Sequence, residues 1–304
     1  MPGIYDCITI GAGPAGMAAS IFMARAGLKV LMIGDIEKTG LIKAQEVGNF
    51  LGSDGVSGPD LLDRGVEQVK KYGAEHLVAE VVHAEEKGGS FTVKLADARK
   101  FQSKALIIAT GLTAKSSGAK NEDKLMGRGV HTCVACDGPF YKNKRVFVIG
   151  HSSFAAEEAL ELTGLTDDIT IVSNGKEFSI APELKTMLDQ REIKYDKRRA
   201  VEFVGDKRLE KVKFSDNSEE KPDGVFLALG TATALAFSQK LGLEMDGQSI
   251  KIDRDGKTNV DGVFAAGGCT GGNYQISKSV GEGCNAGISV IKKIKGLTNY
   301  QDLT

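Results

Sequence analysis

Short apolar runs that stop at glycine recur along this chain, and each is followed by a stretch of helical or strand periodicity. Residues 4–10 (Ile-Tyr-Asp-Cys-Ile-Thr-Ile) are β-prone and end at Gly11. Residues 14–27 follow, with Met17, Ala18, Ile21, Phe22 and Ala24 giving a helix small and apolar faces until Gly27 stops it. Residues 28–33 form the next strand, so the first thirty-odd positions predict a βαβ unit. A second unit begins with a strand over 145–150, continues with a helix over about 154–165, and closes with a strand over 169–172. Two further strands, 105–111 and 224–230, end in glycine and occupy parallel places after the two units, which reads as an internal duplication. The chain finishes with a strand over 262–267 and a helix from about 277 to 295. This pattern predicts an α/β protein of two Rossmann-like three-layer domains. The first comprises residues 1–114 and 240–304; the second, residues 115–239, interrupts it.

Composition removes several classes of function. Lysine plus arginine (39) balance aspartate plus glutamate (40), so there is no global basic field for nucleic acid or an anionic membrane. No run reaches the roughly 18 apolar residues of a membrane span, and the start Met1-Pro2-Gly3-Ile4-Tyr5-Asp6 lacks the basic and apolar regions of a signal peptide. A cytoplasmic location is the expectation. Five scattered cysteines are an odd number and make no disulfide framework; only Cys133 and Cys136 are close in sequence.

The first unit carries Gly11-Ala12-Gly13-Pro14-Ala15-Gly16 between its strand and helix. In G-x-G-x-x-G the first glycine makes the turn and the second lets backbone approach a pyrophosphate. The third permits close helix–strand packing, with amides and the helix dipole facing the anion. An acidic residue after the second strand should hold the ribose. Gly34 takes the commonest place, leaving Asp35 and Glu37 as alternatives. The second unit reads Gly150-His151-Ser152-Ser153-Phe154-Ala155 and has lost the middle glycine, so Ser152 puts a Cβ and hydroxyl in the phosphate path.

Cys133-Val134-Ala135-Cys136 precedes that second unit. Zinc needs about four ligands, yet there is no second C-x-x-C and the histidines at 76, 83, 131 and 151 lack paired spacing, with His131 alone nearby. No metal site is expected. In a reducing compartment the pair reads as a redox dithiol, and Asp137 directly after it is placed to protonate a leaving sulfur.

Together these motifs closely resemble the low-molecular-weight thioredoxin reductases. The resemblance rests on Cys133-Val-Ala-Cys-Asp-Gly138-Pro-Phe-Tyr141, Glu37-Lys38-Thr39-Gly40, Glu46-Val47-Gly48-Asn49-Phe50, Ala109-Thr110-Gly111, Thr258-Asn259-Val260 and Gly262-Val263-Phe264-Ala265-Ala266-Gly267, in order over nearly the whole chain. It implies an FAD domain interrupted by a smaller domain with the dithiol, in a homodimer that reduces thioredoxin. It also implies that Cys136 faces the flavin, Cys133 attacks thioredoxin, and Asp137 donates the proton. Carried over as FAD contacts are Gly11, Ala12, Gly13, Pro14, Ala15, Gly16, Asp35, Glu37, Lys38, Asn49, Ala109, Thr110, Gly111, Gly267, Gly268, Cys269, Gln275 and Ile276. Gly268 stands where the family usually has a ribitol-binding aspartate, a loss on the order of 1 kcal/mol. Cys269 reads as a packed small hydrophobe, and Cys7 and Cys284 as structural.

Family members that use NADPH keep the middle glycine of the second turn and follow it with an arginine pair for the 2′-phosphate. Here the corresponding stretch is Val172-Ser173-Asn174-Gly175-Lys176-Glu177, with neither the arginines nor a ribose-binding acid. The chain therefore resembles the pyridine-nucleotide-independent, ferredoxin-linked branch. Lys115, Lys120, Lys142, Lys144 and Arg145 are candidates for a patch that receives an acidic iron–sulfur protein. The alternatives are an NADPH-dependent thioredoxin reductase with a diverged site, an FAD-dependent dithiol oxidase, and a non-catalytic redox-sensing flavoprotein. Retention of Asp137 beside both cysteines weighs against the last two.

Overall fold

The computed structural model describes residues 3–111, 116–132, 134–229, 234–247 and 249–301. Cys133 and Lys115 lie outside the described residues. The chain divides into two compact units, one of Met1–Lys94, Lys100–Thr113 and Thr233–Thr304, the other of Leu95–Arg99 and Ala114–Ala232. The architecture is α/β, with parallel sheets in both.

In the first unit the strand Tyr5–Ile10 pairs in parallel with Val30–Ile33 on one side and Lys100–Ile108 on the other; Glu75–Leu77 extends the edge. All four residues of Val30–Ile33 are buried, as expected of a parallel strand covered on both faces. Lys100–Ile108 changes neighbours along its length. Its first part pairs antiparallel with Ser90–Leu95, and its last residues pair in parallel with Val263–Ala265, Leu106 facing Val263. The parallel strands thus end at one edge, where Gly11, Gly34, Ala109 and Ala266 follow them.

The helix Pro14–Arg25 has Pro at its first position, where no amide partner is lost, and buries a face of small residues that includes Ala15, Gly16 and Ala19. The C-terminal helix Ile276–Lys295 lies against that face. A Cβ on its Gly283 would overlap the carbonyl oxygen of Ala15, and one on Gly287 would come within 2.9 Å of the oxygen of Ala19. Glycines one turn apart let the two backbones touch. The helix ends at Gly296, in the left-handed region with φ of 64°, with Lys292, Lys293 and Lys295 in its last turn.

In the second unit five parallel strands run in the order Lys194–Asp196, Ile169–Val172, Val146–Ile149, Gly224–Leu227, Val130–His131. An antiparallel sheet of Ala200–Val204, Lys211–Phe214 and Glu219–Glu220 covers it, with Phe147, Phe203 and Phe214 buried in the shared core. The expected helix over 154–165 spans Ser153–Leu162, and the expected strand over 28–33 begins at Val30. Among the described residues no helix is long and apolar enough to cross a membrane.

Replacing Gly283 by valine forces side-chain atoms into the backbone of Ala15. The substitution is expected to cost about 3 kcal/mol or more, read as a lowered urea midpoint. An unchanged midpoint would show that the two helices can separate freely.

Candidate active site

The first nucleotide turn is built by backbone contact. Gly11 has a φ of 121°, and a Cβ there would overlap the carbonyl oxygen of Ala109. Gly16 is equally tight, its missing Cβ directed at the carbonyl oxygen of Gly11. Gly13 is different. Among the described residues, a Cβ on it would meet nothing nearer than 3.9 Å, the Cγ2 of Thr39. The protein itself does not require glycine at that position, and the space is what a pyrophosphate against the helix N-terminus needs.

Around this turn the structure gathers most of the residues expected to touch FAD. Asp35 caps the turn Ile36–Lys38, its Oδ1 accepting from the Glu37 amide at 3.0 Å, while the Glu37 side chain is exposed. Lys38 Nζ lies 3.5 Å from Glu80. Asn49 Nδ2 donates to Gln275 Oε1 at 3.0 Å, joining residues far apart in sequence at the N-terminus of the last helix, which Ile276 begins. Thr110 Oγ1 is buried with no hydrogen-bond partner among the described residues. An orphaned hydroxyl next to an open glycine turn fits a bound cofactor with oxygen and nitrogen atoms to share.

The segment Gly267–Thr270 is clamped by two side chains that its sequence does not reveal. Lys278 Nζ donates to the carbonyls of Gly267 and Gly271, each at 2.7 Å, and to Thr270 Oγ1 at 2.8 Å. Glu282 accepts from the Gly267 amide at 2.8 Å and from Thr270 Oγ1 at 2.7 Å, and pairs with Lys278. Their i,i+4 spacing was the available signal. Cys269 sits in this segment with its Sγ 3.2 Å from the carbonyls of Ile108 and Ala266. Burial pushes its thiol up to about 11, so it is a packed group. Burial likewise raises the Cys7 thiol far out of the reactive range.

In the second unit Asp137 ends the helical turn Val134–Asp137, which also carries the backbone of Cys136. Its carboxylate is about one-third exposed, and its Oδ2 lies 3.0 Å from Nδ1 of the buried His131. The other ring nitrogen of His131 is 2.7 Å from the hydroxyl of Tyr141.

The second glycine turn is closed by its own chain. Ser152 caps the helix Ser153–Leu162 in extended conformation and pairs with Ser179. Ser179 N donates to the carbonyl of His151 at 2.7 Å, and Ala181 N donates to Ser153 Oγ at 3.0 Å. Ser152, Ser153 and Phe154 are buried. The side chains that follow the strand Ile169–Val172 make bonds of their own. Ser173 Oγ donates to the carbonyl of Lys176, Asn174 bonds the backbone of Ser117 and Ala200, and Glu177 pairs with Lys197 at 2.8 Å. Of the lysine patch, Lys120, Lys142 and Lys144 are exposed, but Arg145 is held by Glu220 at 3.1 Å. It is not the open cation that the sequence reading makes it.

Residues 5–283 match the family described as pyridine nucleotide-disulphide oxidoreductase. The chain belongs to that family. Among curated relatives of this oxidoreductase, thioredoxin reductase of Listeria monocytogenes is 34% identical, over 97% of this chain and 95% of the relative. Thioredoxin reductase of Bacillus subtilis is 32% identical, over 94% of each. Among solved structures, the atypical thioredoxin reductase TRi of Desulfovibrio vulgaris Hildenborough superposes with a TM-score of 0.90 at 36% identity, over 97% of this chain and all of that one. A ferredoxin-flavin thioredoxin reductase of Clostridium acetobutylicum superposes with a TM-score of 0.71 at 32% identity, over 96% and 98%. The oxidoreductase is of the low-molecular-weight thioredoxin reductase type, and FAD is its cofactor.

Two substitutions separate folding from cofactor binding. Gly13→Ala is expected to leave the apoprotein's urea midpoint unchanged while weakening FAD about tenfold or more, roughly 1.4 kcal/mol, read as flavin retained after desalting. Gly16→Ala is expected to lower the midpoint itself. Equal behaviour of the two would show that Gly13 is not facing the cofactor. The raised thiol of Cys269 makes a further expectation: in native protein it resists iodoacetamide at neutral pH and gains reactivity only as pH approaches about 11, whereas denatured protein reacts readily.

Proposed function

We propose that this oxidoreductase reduces the disulfide of thioredoxin, with electrons that reach its FAD from reduced ferredoxin rather than from NADPH. The closed second turn carries this reading: the segment from Ser179 to Ala181 packs onto it, Ser179 N bonding the His151 carbonyl and Ala181 N the Ser153 hydroxyl, and Ser152 is buried where the motif would have an open glycine. The absence of an arginine pair over 173–177 supports it. So does the likeness to a protein named as a ferredoxin-flavin thioredoxin reductase.

In this reading Gly11, Ala12, Gly13, Pro14, Ala15 and Gly16 hold the FAD pyrophosphate, with Glu37, the exposed carboxylate of the pair, on the ribose. Asn49, Thr110 and Gln275 face the rest of the cofactor, and Lys278 and Glu282 hold the Gly267–Thr270 segment against it. FAD, when bound, supplies the electron pair that opens the Cys133–Cys136 disulfide. Cys133 Sγ then attacks one thioredoxin sulfur, the thioredoxin S–S bond breaks, and the leaving thiolate takes a proton held at Asp137. Attack of Cys136 Sγ on Cys133 Sγ breaks the mixed disulfide and releases the second thioredoxin thiolate. Lys120, Lys142 and Lys144 offer exposed positive charge for an acidic donor protein. The working form is a homodimer in the cytoplasm.

The test follows the flavin's visible absorbance in anaerobic protein as NADPH, NADH and then reduced ferredoxin are added in excess. Bleaching by ferredoxin alone, with electrons passed on to thioredoxin, is the expected result; rapid bleaching by NADPH overturns the choice of donor. Oxygen uptake with a small dithiol in place of thioredoxin turnover would favour an oxidase. Asp137→Asn is expected to slow thioredoxin reduction on the order of 100-fold while leaving flavin bleaching unchanged.

A further inference from the structure

The segment Gly267–Thr270 and the two residues after it carry glycine at 267, 268, 271 and 272. Gly267, Gly271 and Gly272 have φ of 87°, 75° and 73°, in the left-handed region. Chain of this composition has the most conformational freedom to lose on ordering, and Gly268 brings no side chain to hold it. The segment is nevertheless closely placed. A Cβ on Gly267 would stand 2.8 Å from the Cβ of Ala15, and one on Gly271 would stand 2.6 Å from Ser249 Oγ. Ala266 N donates to the Ile108 carbonyl at 3.0 Å, two residues before the orphaned Thr110 hydroxyl. The segment therefore borders the same glycine turn, residues 11–16, that is open at Gly13.

What restrains it is one ammonium. Lys278 is the third residue of the helix Ile276–Lys295, whose first turn holds no acidic residue. A cation there faces the positive end of the helix dipole, an unfavourable placement. Its side chain is 20% exposed, and the carbonyls of Gly267 and Gly271, Thr270 Oγ1 and Glu282 Oε2 all lie within 2.8 Å of Nζ. Four oxygens share three N–H donors, so the ammonium is coordinated much as a small bound cation is. Methionine has comparable length but no donor. Arginine's planar fork cannot aim its donors at oxygens gathered around a single point. Glu282, one turn on, neutralises the charge and takes the Gly267 amide, so Gly267 is held by its amide and its carbonyl at once.

We propose that Lys278 is a positioning residue for FAD: its ammonium, steadied by Glu282, orders the Gly267–Thr270 segment before the cofactor arrives, and FAD retention depends on it. The proposal rests on the placement of FAD against Gly267 and Gly268 given above, and takes nothing from the choice of electron donor. A segment already ordered adds no ordering cost to binding. Without the ammonium, FAD must itself order a stretch rich in glycine. Loss of Lys278 also leaves the half-buried Glu282 carboxylate without its counter-charge. The two side chains therefore act as a unit, and removing both disturbs the site by less than the two separate losses combined.

The test dilutes the purified full-length flavoprotein in steps and reads released FAD by the recovery of its fluorescence, with Gly13→Ala run alongside. Lys278→Met is expected to raise the dissociation constant about tenfold or more, with little change in the urea midpoint of the flavin-depleted protein. Lys278→Arg is expected to resemble Lys278→Met rather than wild type. The visible circular dichroism of the flavin that stays bound is expected to weaken, because its surroundings are less fixed. Glu282→Gln acts in the same direction to a smaller degree, and the double variant loses less than the product of the single effects. A dissociation constant within about twofold of wild type, or a weakening wholly matched by a lower urea midpoint, overturns the proposal. If Gly13→Ala leaves the constant unchanged, the placement of FAD falls, and the dichroism of Lys278→Met still decides whether Lys278 acts on the flavin. Should Lys278→Met not fold, Glu282→Gln carries the same measurements.

Discussion

Both units are organised around one steric constraint: the first glycine after the leading strand must pass so close to a neighbouring strand's carbonyl that no side chain fits. In the first unit Gly11 meets the carbonyl oxygen of Ala109; in the second, Gly150 meets that of Ala228. The contact fixes where the strand ends, and the helix must then start at once. It also sets the helix N-terminus above the sheet edge. The third motif position differs between the halves: Ala155 carries a Cβ close under Gly150, whereas a Cβ on Gly16 would overlap the carbonyl oxygen of Gly11. The duplicated halves diverge at the middle position. Gly13 stands open and Ser152 is covered by its own chain, so one architecture holds a ligand-ready turn and a self-filled one.

Much of this was legible from the chain because it is written locally. An apolar run, a glycine and a small-residue helix define each βαβ unit within thirty residues, and the strand and helix positions follow. The ribose acid was not legible from composition alone. Gly34 takes the expected place because a Cβ there would stand 2.6 Å from the Ala12 amide, and the carboxylates are displaced to Asp35 and Glu37. What stayed hidden depends on contacts between segments with no common pattern. His131 stands out in the sequence only as the one histidine near the dithiol; its partners are Asp137 and Tyr141, set by the tight turns of residues 134–141. Lys278 and Glu282, an i,i+4 pair on the last helix, hold the Gly267–Thr270 segment by three of its polar groups. The isolated bridge between Ser152 and Ser179 joins residues whose sequence shows only serines.

Gly268, where the family resemblance leads one to expect a ribitol-binding aspartate, is informative in this light. The backbone there is held without that side chain, because Lys278 and Glu282 brace it through the Gly267 amide and the Gly271 carbonyl. The second unit shows the opposite outcome, where losing the middle glycine has let the chain close over its own turn. Loss of a contact and loss of a site are different events, separated by whether the surrounding backbone still has somewhere else to go.

The strand Lys100–Ile108 has one further implication, for the order in which the molecule is made. Its last residues wait for Val263–Ala265, and the helix Pro14–Arg25 waits for Ile276–Lys295. As the chain leaves the ribosome, the inserted unit holds every one of its strands before these partners exist. The N-terminal segment must remain an open half-sheet, with an uncovered helix face, for the synthesis of more than a hundred residues. An enzyme assembled this way is exposed to chaperones, and to aggregation, through the part that appears first and is completed last.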